Sequence, residues 1–205
     1  MSTAGVKEMP LVDEFLKAIF ERQEELMNEY KGIEGLPPWP LFIDNPEHQV
    51  WIKDFLWRIT EELAEAVEAS WETNPDHQKE EVADALHFVA ELFLLTGKEP
   101  HTWELTSMVE NARDNIPLER GLDSSFNAAV HDTIISCGLI GNTLKNKKWK
   151  TSLTSTDTHK FETLLHTMLN GLIKVFVSIG CDAEEIHNLY FNKSEENKIR
   201  IQSNY

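Results

Sequence analysis

The sequence predicts an all-α fold, and three observations support this prediction. Apolar residues recur at intervals of three and four along most of the chain. No run of strict apolar–polar alternation is long enough to predict a strand. The breaks between the periodic segments carry Gly, Pro, Asn and Asp, which end helices and form loops. We therefore expect a single helical domain over residues 1–205.

Seven helices are expected in chain order. They cover Val12 to about Asn28, Trp51 to about Trp71, Lys79–Thr96, His101 to about Arg113, Phe126 to about Leu144, His159–Ile179 and Ala183 to about Arg200. The segment "KGIEGLPPWPLFIDNPEHQ" holds two Gly and four Pro and is predicted as a loop, as is the polar "KNKKWKTSLTSTD". Gly97 is the expected C-cap of the third helix. Trp51 and Trp57 are expected in the core.

The composition is that of a globular domain with a strong acidic excess. The 205 residues are 41% hydrophobic and 26% charged, and the net charge is −16. Such a surface argues against nucleic acid or an anionic membrane as a partner, because both require a basic surface. A nucleotide stays compatible, since it needs only a local cationic site or metal ions.

Cysteine usage and the N-terminal segment indicate a cytoplasmic protein. Cys137 and Cys181 form no CxxC motif, so a disulfide framework and a zinc–thiolate site are not expected. The segment "MSTAGVKEMPLVDEF" has no apolar core of a signal peptide, and no apolar run is long enough to span a bilayer.

Two pairs of acidic residues stand three positions apart on neighbouring helices. Glu62 and Glu65 form one pair, and Glu81 and Asp84 the other. Residues at i and i+3 lie one above the other on a helix. The short connection "ETNPDHQ" predicts that the two helices are antiparallel neighbours, so the four carboxylates can converge.

A metal site and a solvated face are the two interpretations of these acids. A run of Glu on a helix is usually a solvated face, but here the acids share their stripe with apolar neighbours such as Leu63 and Leu86. Unpartnered, half-buried carboxylates are costly, and a divalent cation removes that cost. Oxygen ligands without cysteine favour Mg²⁺, with Mn²⁺ as the alternative.

Three other classes of protein compete with this interpretation as an Mg²⁺ or Mn²⁺ site. An acidic helical partner-binding protein fits the net charge, but it predicts dispersed acids instead of two pairs. A di-iron bundle requires Glu-x-x-His on two helices, and the chain offers only the Asp-x-x-His of Asp84 and His87. An HD-type phosphohydrolase could use His131-Asp132, but no pattern supplies its other ligands.

The acidic motifs resemble those of a known family. "EELAE" (61–65) followed by "EVAD" (81–84) is similar to the EExxE…ExxD pattern of the all-α nucleoside triphosphate pyrophosphatases, which include the MazG proteins and the dimeric dUTPases. "DALHF" (84–88) resembles the Asp-x-x-His-Phe segment of the dimeric dUTPases and of bacteriophage dCTP/dUTP pyrophosphatases. The C-terminal segment resembles the same group at Tyr190, Lys193, Asn197, Arg200 and Tyr205, and departs from it at Ser194, Ile201 and Asn204.

The resemblance implies hydrolysis of dUTP to dUMP and pyrophosphate by a metal-activated water. It implies a ligand set for Mg²⁺ of Glu62, Glu65, Glu81 and Asp84, with Glu62 also acting as the base. dCTP, both nucleotides, or a broader set of deoxynucleotides are the alternative substrates. The resemblance further implies a homodimer built on exposed apolar helix faces, in a host cytoplasm if the origin is viral. Glu61 is the doubled Glu of the pattern, and we favour a solvent-facing position for it.

The substrate-binding residues implied by the resemblance lie at the two ends of the chain and in the third helix. They are Gln23, His87, Phe88, Lys193, Asn197, Arg200 and Tyr205. A family Asn is replaced here by Met27, which leaves the preferred base between uracil and cytosine. The C-terminal segment is expected to order over the phosphates when nucleotide binds, the alternative being a frayed terminus. The "KNKKWK" segment (145–150) is a further candidate phosphate contact.

A faint internal repeat divides the chain into two halves. When Gly97 is placed over Gly180, Glu81, Asp84 and His87 fall over Leu164, Thr167 and Asn170. On this interpretation residues 12–100 hold the metal-binding helices, and residues 126–205 hold a degenerate second half with the phosphate-binding tail. Two unrelated helices that each end in Gly are the alternative.

Overall fold

The described residues of the computed structural model, 14–116 and 122–203, form seven α-helices and no strand. The all-α prediction is therefore confirmed. The helices are α1 Phe15–Glu34, α2 Pro46–Trp71, α3 Pro75–Thr96, α4 Leu105–Asp114, α5 Leu122–Thr143, α6 Thr158–Ser178 and α7 Ala183–Gln202.

Helices α2, α3 and α5 begin four or five residues earlier than predicted, and for α2 and α3 the reason is a capping motif that precedes the periodic pattern. Asn45 caps α2, and its side chain accepts hydrogen bonds from the backbone N–H groups of Glu47 and His48. Asn74 caps α3 in the same way. In both cases Pro follows at the first helical position, where its missing N–H costs nothing.

The first helix ends later than predicted. α1 continues through Gly32 to Glu34 and ends where Gly35 adopts a left-handed conformation with φ of 69°. The N–H of Gly35 bonds to the carbonyl of Lys31 and closes the last turn. Val12 lies outside the described residues.

Two antiparallel helix pairs form the body of the molecule. A three-residue connection joins α2 to α3, and α5 packs against α6 with Cys137 Sγ 3.5 Å from Met168 Sδ. α2 also packs along α5, where Lys53 Nζ donates to the Leu144 carbonyl at 2.8 Å. α1 and α7 pack against each other and against α3. The largest fully buried side chains are Phe15, Phe55, Phe93, Phe161, Phe176 and Tyr190.

The outer surface of α2 contradicts one prediction. Trp57 was expected in the core, but it is 61% exposed, since it lies on a stripe of α2 that no other described helix covers. Trp51 is half-buried. Within the described ranges no single helix has the length and apolar character to cross a membrane, and only the bent pair of α6 and α7 reaches that composition together.

Candidate active site

The α2–α3 pair brings three of the predicted carboxylates together. Glu62, Glu81 and Asp84 each offer an oxygen, and these oxygens lie within 4.8 Å of one another. Glu62 comes from the middle of α2, whereas Glu81 and Asp84 stand one turn apart on α3. We call these three residues the acidic triad.

Glu65 and Glu61 lie outside the acidic triad. Both side chains are exposed. The charge of Glu65 is nevertheless close enough to raise the pKa of Glu62 and Glu81, after the larger effect of burial. Glu65 therefore borders the triad without joining it, and its role as a ligand stays a prediction.

The acidic triad carries more negative charge than its surroundings neutralise. Burial raises the pKa of Glu62 to about 8, and a hydrogen bond with Glu81 and the charges of Asp84 and Glu65 add to the effect. Burial also raises the pKa of Glu81, although His77 Nδ1 lies 3.1 Å from its carboxylate. Both shifts favour the protonated form, as expected for neighbouring buried carboxyl groups that cannot both ionise at low cost.

These donors fit a hard divalent cation. Three carboxylate oxygens without a sulfur ligand suit Mg²⁺ or Mn²⁺ better than a softer metal. Burial and mutual repulsion make ionisation of these carboxyl groups costly, and a divalent cation would offset that cost. Glu62, Glu81 and Asp84 are therefore the residues that could hold a metal.

Lys193 supplies one positive charge to the acidic triad from α7. Its Nζ lies 2.8 Å from Asp84 Oδ2, and the two side chains are only 11% and 20% exposed. Burial raises the pKa of Asp84 even though Lys193 opposes the shift. Burial alone would lower the pKa of Lys193, but the hydrogen bond to Asp84 and the nearby carboxylates raise it.

A cavity of about 540 Å³ adjoins the acidic triad. Its volume is in the range of small-molecule binding sites. Glu62 and Asp84 form one end, and helices α1, α2, α3 and α7 supply the walls. The other lining residues are Gln23, Leu26, Tyr30, Ile33, Arg58, His87, Phe88, Glu91, Asn197, Arg200 and Ile201.

Gln23 and His87 hydrogen-bond to each other, and Gln23 also bonds to Tyr190 of α7, Tyr30 of α1 and Glu91 of α3. His87 Nδ1 lies 2.9 Å from Gln23 Oε1, which also accepts a hydrogen bond from the Tyr190 hydroxyl at 2.7 Å. Gln23 Nε2 donates to the Tyr30 hydroxyl and to Glu91 Oε2. Because burial lowers the pKa of His87 to about 3, its ring is neutral, and the shorter contact assigns its proton to Nδ1. These two residues shape the cavity wall as a rigid pair.

Arg58 is a cavity residue that the sequence analysis did not single out. It precedes Glu62 by one helical turn, so both side chains lie on one face of α2. Its guanidinium lies over the rings of Phe55 and Phe88, 5.0 and 5.6 Å from their centroids. Its position four residues before Glu62 could have identified it, but the sequence analysis considered only the acidic residues of this segment.

The tail helix α7 is packed against the body of the protein. The buried Arg22 of α1 donates to the Ser194 hydroxyl at 2.6 Å and to Glu195 at 2.7 Å. α7 continues to Gln202, so a frayed terminus does not describe residues up to 203, and ordering over the phosphates on nucleotide binding stays a prediction. Asn197 and Arg200 line the cavity, whereas Tyr205 lies outside the described residues.

The "KNKKWK" segment and the His131-Asp132 pair lie away from the cavity lining. Burial and the charges of Lys147 and Lys145 lower the pKa of Lys53 to about 8, which places these lysines together near the end of α5. His131 and Asp132 are exposed on α5. The described residues therefore give no support to an HD-type centre.

The fold and the site define an all-α protein with an acidic triad, able to hold a metal, at the end of a cavity. A family model described as dUTPase matches residues 15–205. The chain belongs to this all-α dUTPase family, which confirms the resemblance seen in its motifs. The family is metal-dependent in general, and membership supports a dUTP/dCTP pyrophosphatase-type function. No curated protein and no solved structure matches the chain.

Proposed function

We propose that the protein hydrolyses dUTP to dUMP and pyrophosphate with Mg²⁺ as its metal. The observation that carries the proposal is the acidic triad beside a cavity whose lining also includes the rings of Tyr30 and Phe88 and the cations of Arg58 and Arg200. A deoxynucleoside triphosphate matches this arrangement, since its phosphates need cations and its base needs a stacking surface. dCTP, or both nucleotides, is the second candidate, because Met27 replaces the family Asn.

Glu62 is the proposed general base. Bound divalent cations would neutralise the phosphate oxygens and lower the pKa of the attacking water. With divalent cations bound, Glu62 would lose its proton to solvent and would then accept one from the water that attacks the α-phosphorus. The bond from the α-phosphorus to the bridging oxygen breaks, and that oxygen leaves with pyrophosphate.

The side chains around the cavity divide the substrate between them. Asn197 and Arg200 of α7 face the cavity one turn apart and would donate to the phosphate oxygens. Phe88 is half-buried and offers a ring face to the base. Gln23 and His87 hold that wall in place through their mutual contact and the hydrogen bond from the Tyr190 hydroxyl to Gln23.

The direct test measures pyrophosphate release from dUTP, dCTP, dTTP and dATP, with Mg²⁺ and with excess EDTA. We expect release from dUTP, with or without dCTP, and its complete loss in EDTA. Turnover that persists in EDTA would overturn the metal-dependent mechanism. Equal rates for all four nucleotides would replace the proposed substrate by the broader deoxynucleotide class.

A homodimer is part of the proposal. α2 and α5 pack together, and each leaves large apolar side chains exposed, Trp57 on α2 and Ile135 and Leu139 on α5. A second copy of the chain would cover them. Light scattering after gel filtration should give twice the 23.6 kDa chain mass, and Ile135→Glu should shift it towards the monomer. A monomeric native protein would contradict this part of the proposal.

A further inference from the structure

Lys193 contacts the acidic triad directly, through Asp84. Its Nζ lies 2.8 Å from Asp84 Oδ2, and at 3.7 Å from the more exposed Glu196 it has only a weaker second partner. The residue is 9% exposed and is held on α7, which Arg22 anchors through Ser194 and Glu195. The ion pair is therefore a built contact between α7 and α3.

An ammonium in this position opposes a metal ion at the triad. A divalent cation among Glu62, Glu81 and Asp84 would lie within a few ångströms of Lys193 Nζ, and like charges at that distance repel strongly in a half-buried site. The ammonium also contacts one of the two oxygens of Asp84. Metal binding is therefore more favourable when Lys193 leaves Asp84.

Lys193 lies on the same face of α7 as two cavity-lining residues, so its released side chain could contact an anion bound in the cavity. Lys193, Asn197 and Arg200 are spaced four and three residues apart, so they lie on one face of the helix. Asn197 and Arg200 already line the cavity. The four-carbon stem of lysine allows its ammonium to swing from Asp84 towards an anion in that cavity without movement of the backbone.

We propose that Lys193 changes its partner during the reaction cycle. Without metal its ammonium pairs with Asp84, and when a divalent cation binds the acidic triad the ammonium moves to the substrate phosphates. The inference rests on the proposed function, since it needs a metal at the triad and a phosphate in the cavity. It predicts that metal and nucleotide strengthen each other's binding, because metal binding releases the Lys193 ammonium to contact the nucleotide phosphates.

The test measures Mn²⁺ affinity by electron paramagnetic resonance of the free ion, in the absence of nucleotide. Lys193→Gln should lower the Kd for Mn²⁺ by about tenfold, because it removes the competing charge. The same variant should bind a non-hydrolysable dUTP analogue more weakly in the presence of Mg²⁺. A residue that merely supported the fold would weaken both, and a simple phosphate ligand would leave the Mn²⁺ affinity unchanged.

Matched variants separate the local effect from the change in net charge. Lys198 is on the same helix and pairs with Glu29 at 3.8 Å, so Lys198→Gln should leave the Kd for Mn²⁺ unchanged. Lys193→Arg keeps the charge and should not tighten Mn²⁺ binding. Lys193→Met, similar in length and uncharged, repeats the measurement if Lys193→Gln does not fold.

Two results would overturn the inference, and they are distinguishable. Equal or weaker Mn²⁺ binding by both uncharged variants would remove the exchange while leaving the metal site in place. A native protein that binds no Mn²⁺ would remove the metal site of the proposed function and the exchange with it.

Discussion

The α2–α3 and α5–α6 pairs share an architecture and differ in what their helices bury. Both pairs are antiparallel, and a glycine with positive φ follows each second helix, Gly97 at 63° and Gly180 at 90°. α3 buries Glu81 and half-buries Asp84, whereas α6 has Leu164 half-buried and Thr167 exposed at the corresponding positions. One pair holds charge that its surroundings do not neutralise, and the other is stabilised by packing. Internal duplication stays a prediction.

The largest expected effect comes from neutralising the charge in the first pair. Asp84→Asn is nearly isosteric, but it removes a proposed metal ligand and the partner of Lys193. We expect kcat/KM for the preferred nucleotide to fall by about 10³-fold or more at saturating Mg²⁺. The measurement is pyrophosphate release by the purified variant.

The corresponding position in the second pair provides the control. Thr167 is exposed on α6, and Thr167→Ala should leave kcat/KM within about twofold, as for most surface substitutions. Asp84→Asn retaining more than a small fraction of native turnover would remove the functional distinction between the two pairs.

The second pair is the more sensitive to a change in volume. A Cβ added at Gly171 of α6 would lie 2.6 Å from Thr133 Oγ1 of α5, which requires the helices to shift. Gly171→Ala should lower the free energy of unfolding by about 1–3 kcal/mol, a typical cost of overpacking. Urea unfolding followed by circular dichroism measures the change, and turnover at low temperature should persist.

A glycine with open surroundings tests the cause of that loss. Nothing lies within 4 Å of a Cβ added at Gly32 of α1. Gly32→Ala should therefore raise the free energy of unfolding by about 0.5–1 kcal/mol through helix propensity. If Gly171→Ala is also stabilising, the contact with Thr133 does not limit the packing of α5 on α6.

Local spacing predicted the elements of the site, and tertiary packing decided their partners. The i, i+3 pairs and the short connection placed Glu62 close to Glu81 and Asp84. The same spacing did not bring Glu65 into the triad, because that side chain is exposed on α2, whereas Glu81 is buried and Asp84 is half-buried on α3.

The contacts between distant segments were beyond prediction from local pattern. Lys193 was expected to face phosphate, and its pairing with Asp84 depends on how α7 packs on α3. Tyr190 was a motif match without an assigned role, yet its hydroxyl and ring hold Gln23 and His87 in place. These contacts join residues more than a hundred positions apart, and hydrophobic periodicity does not specify such pairings.

A small effect is expected in the pH dependence of stability, where Glu62 of the first pair differs from Glu162 of the second. Burial raises the pKa of Glu62 from an ordinary value of 4.5 to about 8, so between these values the folded state binds a proton that the unfolded state has lost. The metal-free protein should therefore lose stability as the pH rises from about 5 to 8. Because Glu62 is partly exposed, solvent screening limits the loss to about 1 kcal/mol.

Glu162 of α6 has the opposite shift and serves as the comparison. A hydrogen bond from Lys98 lowers the pKa of Glu162, so its stabilising contribution is present above the ordinary carboxyl pKa and is lost only as the pH falls below it. In urea unfolding with EDTA, Glu62→Gln should flatten the decline in stability between pH 5 and pH 8. Glu162→Gln should lower the free energy of unfolding equally at every pH between 5 and 8, so its decline with pH should match that of the native protein. If the stability of Glu62→Gln declines with pH as steeply as that of the native protein, the raised pKa of Glu62 is not the source of the pH dependence.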